Sequence, residues 1–243
     1  RSITDVAEDS RNILYISLSN NGIIRYETEN GRSEQMTQSN TENFELLRNN
    51  NINKLFVDSK DRLWVGHYLG VSCYDTKERR VIDIATDSLL NTSVCYAINQ
   101  AEDGKILIGS NNGLFIYDDD NGKYIRYTTD HGLSSDMICG VVEDSEGNIW
   151  CSTFRGINCV SQKDNSIISW YASNGMSKRE YIRTCYHTDG RNIYFGELSG
   201  ITAFETPVKT TQKRTEIILT GFQIGNNDIP VGSIKEGINL SHR

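Results

Sequence analysis

The sequence predicts an all-β fold, a β-propeller of about five four-stranded antiparallel blades, and three observations predict it. A bulky residue followed six positions later by glycine recurs five times, with the glycines at 22, 70, 113, 156 and 200. Each copy reads as short apolar runs separated by Asp-, Asn- and Gly-rich turns. Residues of those types cap backbone amides or take positive φ at little cost. No apolar pattern of period 3.6 is sustained anywhere, as a helical solenoid would require. Four strands in a unit of roughly 40–50 residues are the signature of a propeller blade.

The elements of one unit follow in order. An apolar first strand (52–57, 94–98, 138–142, 182–186) meets an acidic or glycine turn such as Asp58-Ser59-Lys60-Asp61 or Asp144-Ser145-Glu146-Gly147. The second strand carries the bulky repeat residue: Ile16, Trp64, Leu107, Trp150 or Tyr194. A short connection then ends in the repeat glycine, twice as Asn-Gly, a strong hairpin signal. The third strand ends in Tyr26, Tyr74, Tyr117, Val160 or Phe204, and a fourth is expected at 81–84, 124–127 and 167–171. Runs such as Ile106-Leu107-Ile108 are apolar on both faces, as a sheet sandwiched between two others requires. Trp64 and Trp150 hold the repeated position, so they read as packing between blades rather than as sugar platforms.

Net charge is −7, from 25 basic and 32 acidic residues spread along the chain, which argues against nucleic acid as a partner. No apolar stretch approaches the roughly 20 residues of a membrane-spanning helix; Arg1 leads straight into strand-like sequence, so for an exported protein the targeting segment is expected to have been removed or to lie upstream. Membrane attachment is expected only through other segments. The six cysteines (73, 95, 139, 151, 159, 185) lack the spacing of a zinc or redox site and all fall in strand-like runs. They are expected to be mainly free, buried thiols. Cys73 and Cys159, each third after a repeat glycine and two blades apart, are not expected to pair. The four histidines show no metal-ligand spacing, and no glycine loop matches a phosphate-binding pattern. No cofactor and no metal are expected.

Segments Asp58 to Tyr74 and Asp144 to Ile157, with Gly132-Leu133-Ser134-Ser135-Asp136, resemble the two-component regulator propeller repeat. Its pattern is Asp-x-x-Gly-x-Leu-Trp-x-Gly-Thr, a short loop, then Gly-Leu and an aromatic. His67 replaces the Thr, Ser152 replaces the second-strand Gly, and the first copy lacks the Trp. The likeness covers about residues 1–205, and domains are expected at 1–206 (five blades) and 207–243. The second begins at Pro207 with a polar, basic linker. Glu216 to Asn226 resembles the opening of the tyrosine-motif Ig-like domain that follows the propeller in that family. The resemblance implies a periplasmic sensor region of a bacterial hybrid two-component system, of the kind that detects glycan fragments.

In a propeller the ligand-facing end is usually built from the loops joining second to third strands and successive blades. That selects His67, Tyr68, Asn111, Phe154, Arg155, Glu197 and Arg179 as candidate ligand-binding residues. Aromatics beside polar groups suit sugars, which present flat C–H faces and hydroxyls. Tyr68 and Phe154 stand two positions before the repeat glycine, in blades two apart. The same residues also read as ordinary loop packing. Three functions remain open: a sensor binding an oligosaccharide or similar small ligand without turnover, a protein-interaction or dimerisation scaffold, and a propeller lyase or hydrolase. No catalytic motif anchors the last, although Glu197 and His67 could form an acid–base pair across the ring. Because a ring hides its edge strands by closing, the five copies are expected to belong to a larger ring. The alternative is a five-bladed ring completed by 217–224.

Overall fold

The computed structural model describes residues 2–37, 49–82, 84, 88–171 and 180–208, together with the backbone of 222–224 and 227–229. Two compact units divide after Val208. The first holds five antiparallel sheets. Blade 1 comprises β1 (Ile3–Glu8), β2 (Ile13–Leu18), β3 (Gly22–Glu27) and β4 (Ser33–Met36). Blade 2 comprises β5 (Ile52–Val57), β6 (Arg62–His67), β7 (Gly70–Asp75) and β8 (Arg80–Ile82). After the five-residue helix α1 (Ser88–Thr92), blade 3 is β9 (Cys95–Gln100), β10 (Ile106–Ser110), β11 (Gly113–Asp118) and β12 (Lys123–Tyr127). Blade 4 is β13 (Ile138–Glu143), β14 (Ile149–Thr153), β15 (Ile157–Val160) and β16 (Ile167–Trp170). Blade 5 has three strands among the described residues: β17 (Tyr181–Thr188), β18 (Asn192–Glu197) and β19 (Gly200–Glu205). In every blade the strands pair in sequence order. The first strands of successive blades pack against one another, which makes them the inner strands. In the second unit β20 (Phe222–Ile224) pairs with β21 (Asn227–Ile229). The rest of the segment expected to open an Ig-like domain lies outside the described residues.

Strict alternation on each central strand explains why both faces are apolar. On β6, Leu63 and Val65 join Ile13, Tyr15 and Ile23 in the core between blades 1 and 2, whereas Trp64 enters the core between blades 2 and 3. On β10, Leu107 packs with Ile138, Val141 and Ile149 between blades 3 and 4. On β14, Trp150 packs with Tyr181, Ile193 and Phe195 between blades 4 and 5. Four cores thus join five blades.

The turn aspartates do more than bend the chain. Asp58 accepts backbone N–H bonds from Lys60 and Arg62 at 3.0 and 2.9 Å, and its other oxygen accepts Trp64 Nε1–H at 2.8 Å. Asp144 repeats this with Glu146, Asn148 and Trp150 Nε1, the last at 2.7 Å. Each buried indole N–H therefore has its acceptor.

Blade 1 corrects the repeat frame. Its β2–β3 turn has three residues, because Leu18 pairs with Gly22, whereas His67 pairs with Gly70. The structural counterpart of Trp64 is therefore Tyr15, fully buried, and not Ile16. Tyr15 lies 3.4 Å from Asp9, the counterpart of Asp58. Counting back from the glycine missed the inserted residue. The cysteines are all free thiols, but Cys185 is exposed and Cys159 half-buried, which corrects the expectation that all six are interior. Cys185 is exposed because the strand that carries it breaks register there.

Candidate functional site

Antiparallel pairing places the β2–β3-type turns and the links between blades at one end of the propeller, and the acidic turns at the other. Towards the first end, every inner strand carries a bulge. The residue left without a cross-strand partner is Thr4 in blade 1, Asn53 in blade 2, Tyr96 in blade 3 and Cys139 in blade 4. A bulge kinks a strand and re-aims its side chains. Thr4 Oγ1 donates to Ile52 O at 3.1 Å, and Asn53 Nδ2 donates to Cys95 O at 2.9 Å, so these residues stitch one inner strand to the next.

Blade 5 departs from the pattern. Between Tyr181, opposite Glu197, and Tyr186, opposite Phe195, the inner strand β17 runs through Ile182, Arg183, Thr184 and Cys185. This excursion puts the Arg183 guanidinium 4.6 Å from the centroid of the Tyr96 ring and 5.2 Å from that of Phe154. Burial raises the pKa of the Tyr96 hydroxyl, the Arg183 cation opposes the rise, and Tyr68 adds to it. Tyr96, Phe154 and Arg183 therefore form one cluster, drawn from blades 3, 4 and 5, with the exposed Tyr68 of blade 2 at the same end. It offers aromatic faces and a guanidinium, a combination that stacks on flat ligands and hydrogen-bonds to oxygens.

The axis beneath this mouth is filled. Asp5 pairs with Lys54 at 2.8 Å, and Lys54 lies over the Tyr186 ring at 5.6 Å. Tyr186 reaches past blade 4 to blade 3, donating its hydroxyl to Ile98 O at 2.9 Å and accepting Ile98 N–H at 3.0 Å. Gly140 makes room, since a Cβ there would sit 2.8 Å from Tyr186.

The candidate residues take different places. Tyr68 is 45 % exposed. Phe154 is half-buried against the blade 4–5 core, and Arg155 is exposed. His67 is corrected: it ends β6, is fully buried, and braces the hairpin. Leu69 N–H donates to its Nδ1 at 3.2 Å, so Nε2 carries the proton shared with Ser72 Oγ at 3.0 Å. Asn111 also braces structure, its side chain accepting Val94 N–H at 2.8 Å at the start of a blade. The hydroxyl of Thr202 donates to Glu197 and lies 3.2 Å from Tyr181 OH. With His67 buried and bonded at both nitrogens, no His67–Glu197 acid–base pair forms. Arg179 lies outside the described residues. Tyr96 carries a sequence signal, since Asn53, Tyr96, Cys139 and Ile182 stand 43 residues apart, whereas Arg183 lies one position past that frame and carries none.

At the opposite end lie open clefts, one of about 620 Å³ between the turns of blades 1 and 2. Their carboxylates are engaged in structure, as when Asp61 accepts from Ser10 N–H and Oγ–H at 2.9 and 2.8 Å. Among the described residues no group of His, Cys, Asp or Glu could hold a metal ion, and no helix is long and apolar enough to cross a membrane.

The two component regulator propeller family matches residues 46–68 and 132–155, in blades 2 and 4. Over 239 residues the chain is 24 % identical to histidine kinase P4 of Formosa agariphila, covering 95 % of this chain and 17 % of that protein. The fold is similar to the extracellular domain of a hybrid two component system from B. thetaiotaomicron, with TM-score 0.76 and 22 % identity over 94 % of this chain and 32 % of that one. It is also similar to the extracellular domain of a one component system from the same organism, with TM-score 0.70 and 20 % identity over 85 % of this chain and 30 % of that one. The chain thus spans a third or less of these relatives, and the likeness establishes a β-propeller fold.

Proposed function

We propose that this chain is the ligand-sensing, extracytoplasmic part of a bacterial two-component signalling receptor, periplasmic in location, that binds an oligosaccharide without turning it over. The observation that carries the binding reading is the cluster of Tyr96, Phe154 and Arg183 at the loop end, where Tyr68 is also exposed. Stacking faces beside hydrogen-bond donors are what a saccharide needs. The matched propeller repeats and the similar extracellular domains support the receptor assignment. Any kinase activity would belong to other parts of the receptor, and no residue of this region is assigned a catalytic role.

A second reading, an interaction or dimerisation surface, draws on Leu198 and Ile201 of blade 5, which are 75 % and 70 % exposed. A thermal-shift and calorimetric screen against glycan fragments, with chromatography of the mixtures after long incubation, separates the readings. Saturable binding with unchanged saccharide is the expected result. New products would favour an enzyme, and the absence of any binding would favour the interaction surface.

A further inference from the structure

Building on the reading of the loop end as a saccharide site, we propose that its ligand carries an anionic group, a carboxylate or sulfate, held by Arg183. Arg11, Arg25, Arg62, Arg79 and Arg191 are each paired with a carboxylate, whereas among the described residues Arg32, Arg80, Arg126, Arg155 and Arg183 are not, and of these five only Arg183 lies over two rings at the loop end. Arg183 is exposed, and among the described residues it has no carboxylate within ion-pair distance. Instead its cation lies over the rings of Tyr96 and Phe154. A cation held over rings by its charge keeps N–H groups able to donate, in the fork that matches carboxylate and sulfate oxygens.

The backbone supplies an independent observation. Thr184, the next residue, has φ 63°, a left-handed conformation that is an outlier for a β-branched side chain. It lies in the excursion between Tyr181 and Tyr186, where the other inner strands carry a single unpaired residue. Tyr181 is buried and Tyr186 is bonded to blade 3, so both ends of the excursion are held. Strain of this kind persists only where the surroundings impose it, and it concentrates at functional positions. What this excursion presents at the mouth is Arg183. A neutral sugar would leave that charge unmatched, whereas an anionic one gains a charge-assisted bond of about twice the strength of a neutral one. The net charge of −7 disfavours long polyanions, so a short oligosaccharide fits best.

The test is calorimetry of the full chain with three probes: trigalacturonate, a sulfated galactose disaccharide without uronate, and neutral galactotriose. Wild type, Arg183→Gln, Arg183→Lys and the control Arg191→Gln, whose arginine pairs with Glu205 at the opposite end, are compared, with thermal melts to establish folding. At least one anionic probe should bind at least about tenfold more tightly than galactotriose, and Arg183→Gln should abolish that preference, in keeping with the worth of a hydrogen bond to a charged group. Arg183→Lys should restore part of it, added salt should weaken it, and Arg191→Gln should leave it unchanged. Binding by the uronate or the sulfated probe alone identifies the group recognised. Equal binding of galactotriose, or a folded Arg183→Gln variant with unchanged preference, would overturn the anionic assignment and leave the sensor reading standing. Failure of every probe, and of the wider glycan screen, would overturn both.

Discussion

At the scale of the residue, the turn aspartate and the tryptophan six positions later are a single device. Asp144 satisfies two backbone N–H groups and the Trp150 indole, and Trp150 fills the blade 4–5 core against Trp170 and Phe204, with ring centroids 5.2 and 4.9 Å away. Trp150→Ala should therefore cost about 3–5 kcal/mol. Phe154→Ala, which removes a half-buried ring at the rim, should cost clearly less. Urea melts ranking the two in the opposite order would contradict the placement. The thiols give a second prediction. Burial pushes Cys73, Cys95, Cys139, Cys151 and Cys159 up to about 12, so they hold little thiolate at neutral pH. Brief treatment of the native protein with iodoacetamide should label Cys185 first, as read by peptide mass mapping. Preferential labelling of Cys73 or Cys151 would show that the blade cores are open.

Between elements, blades 2 and 3 are clamped at the acidic end. Asp119, in the turn after β11, accepts from Lys60 Nζ and Arg62 Nη1, both at 2.8 Å, while Arg62 also pairs with Asp58 and lies over the Trp64 ring. Burial acts to raise the Asp119 pKa, but hydrogen bonds and charge from Lys60 and Arg62 outweigh it and hold the carboxyl below its ordinary value of 3.8. A carboxylate lowered on folding stabilises fully above its unfolded pKa and loses that contribution as pH falls through the folded value. The melting temperature should therefore drop on acidification from about pH 5 to about pH 2 more steeply in wild type than in Asp119→Asn. Parallel pH profiles would show that the clamp contributes nothing. Lys60 is 54 % exposed, so added salt should weaken its share of the clamp more than that of the largely buried Arg62.

Across the molecule, among the described residues, the four cores leave blades 1 and 5 each with apolar residues on an unpacked face. Ile3 and Val6 on β1 are 61 % and 48 % exposed, and Ile201 on β19 is 70 % exposed. Exposed apolar sheet faces favour self-association. Light scattering of the chain at increasing concentration should show mass rising above the monomer, and Val6→Lys with Ile201→Lys should reduce it. A strictly monomeric wild type would mean that these residues form no effective patch.

The sequence alone determined the architecture. Five glycines in one frame, paired with Asp-rich turns and doubly apolar strands, specify blades because each of these features acts within a few residues of itself. Trp64 and Trp150 were legible as core for the same reason: a position repeated in every blade meets the same neighbour in every blade. Three things required the tertiary structure. The extra turn residue in blade 1 moved the core position from Ile16 to Tyr15, since register is set by pairing and not by counting. His67 and Asn111 stood in loop-like sequence yet proved to be braces, because burial depends on what the neighbouring strand and blade supply. The mouth cluster was hidden because Tyr96 and Arg183 lie 87 positions apart, on inner strands that resemble core. Only the bulges, and the convergence of inner strands at the axis, turn those side chains toward Phe154 and one another. A repeat encodes what each blade does to the next; what several blades build together at the axis exists only once they are assembled.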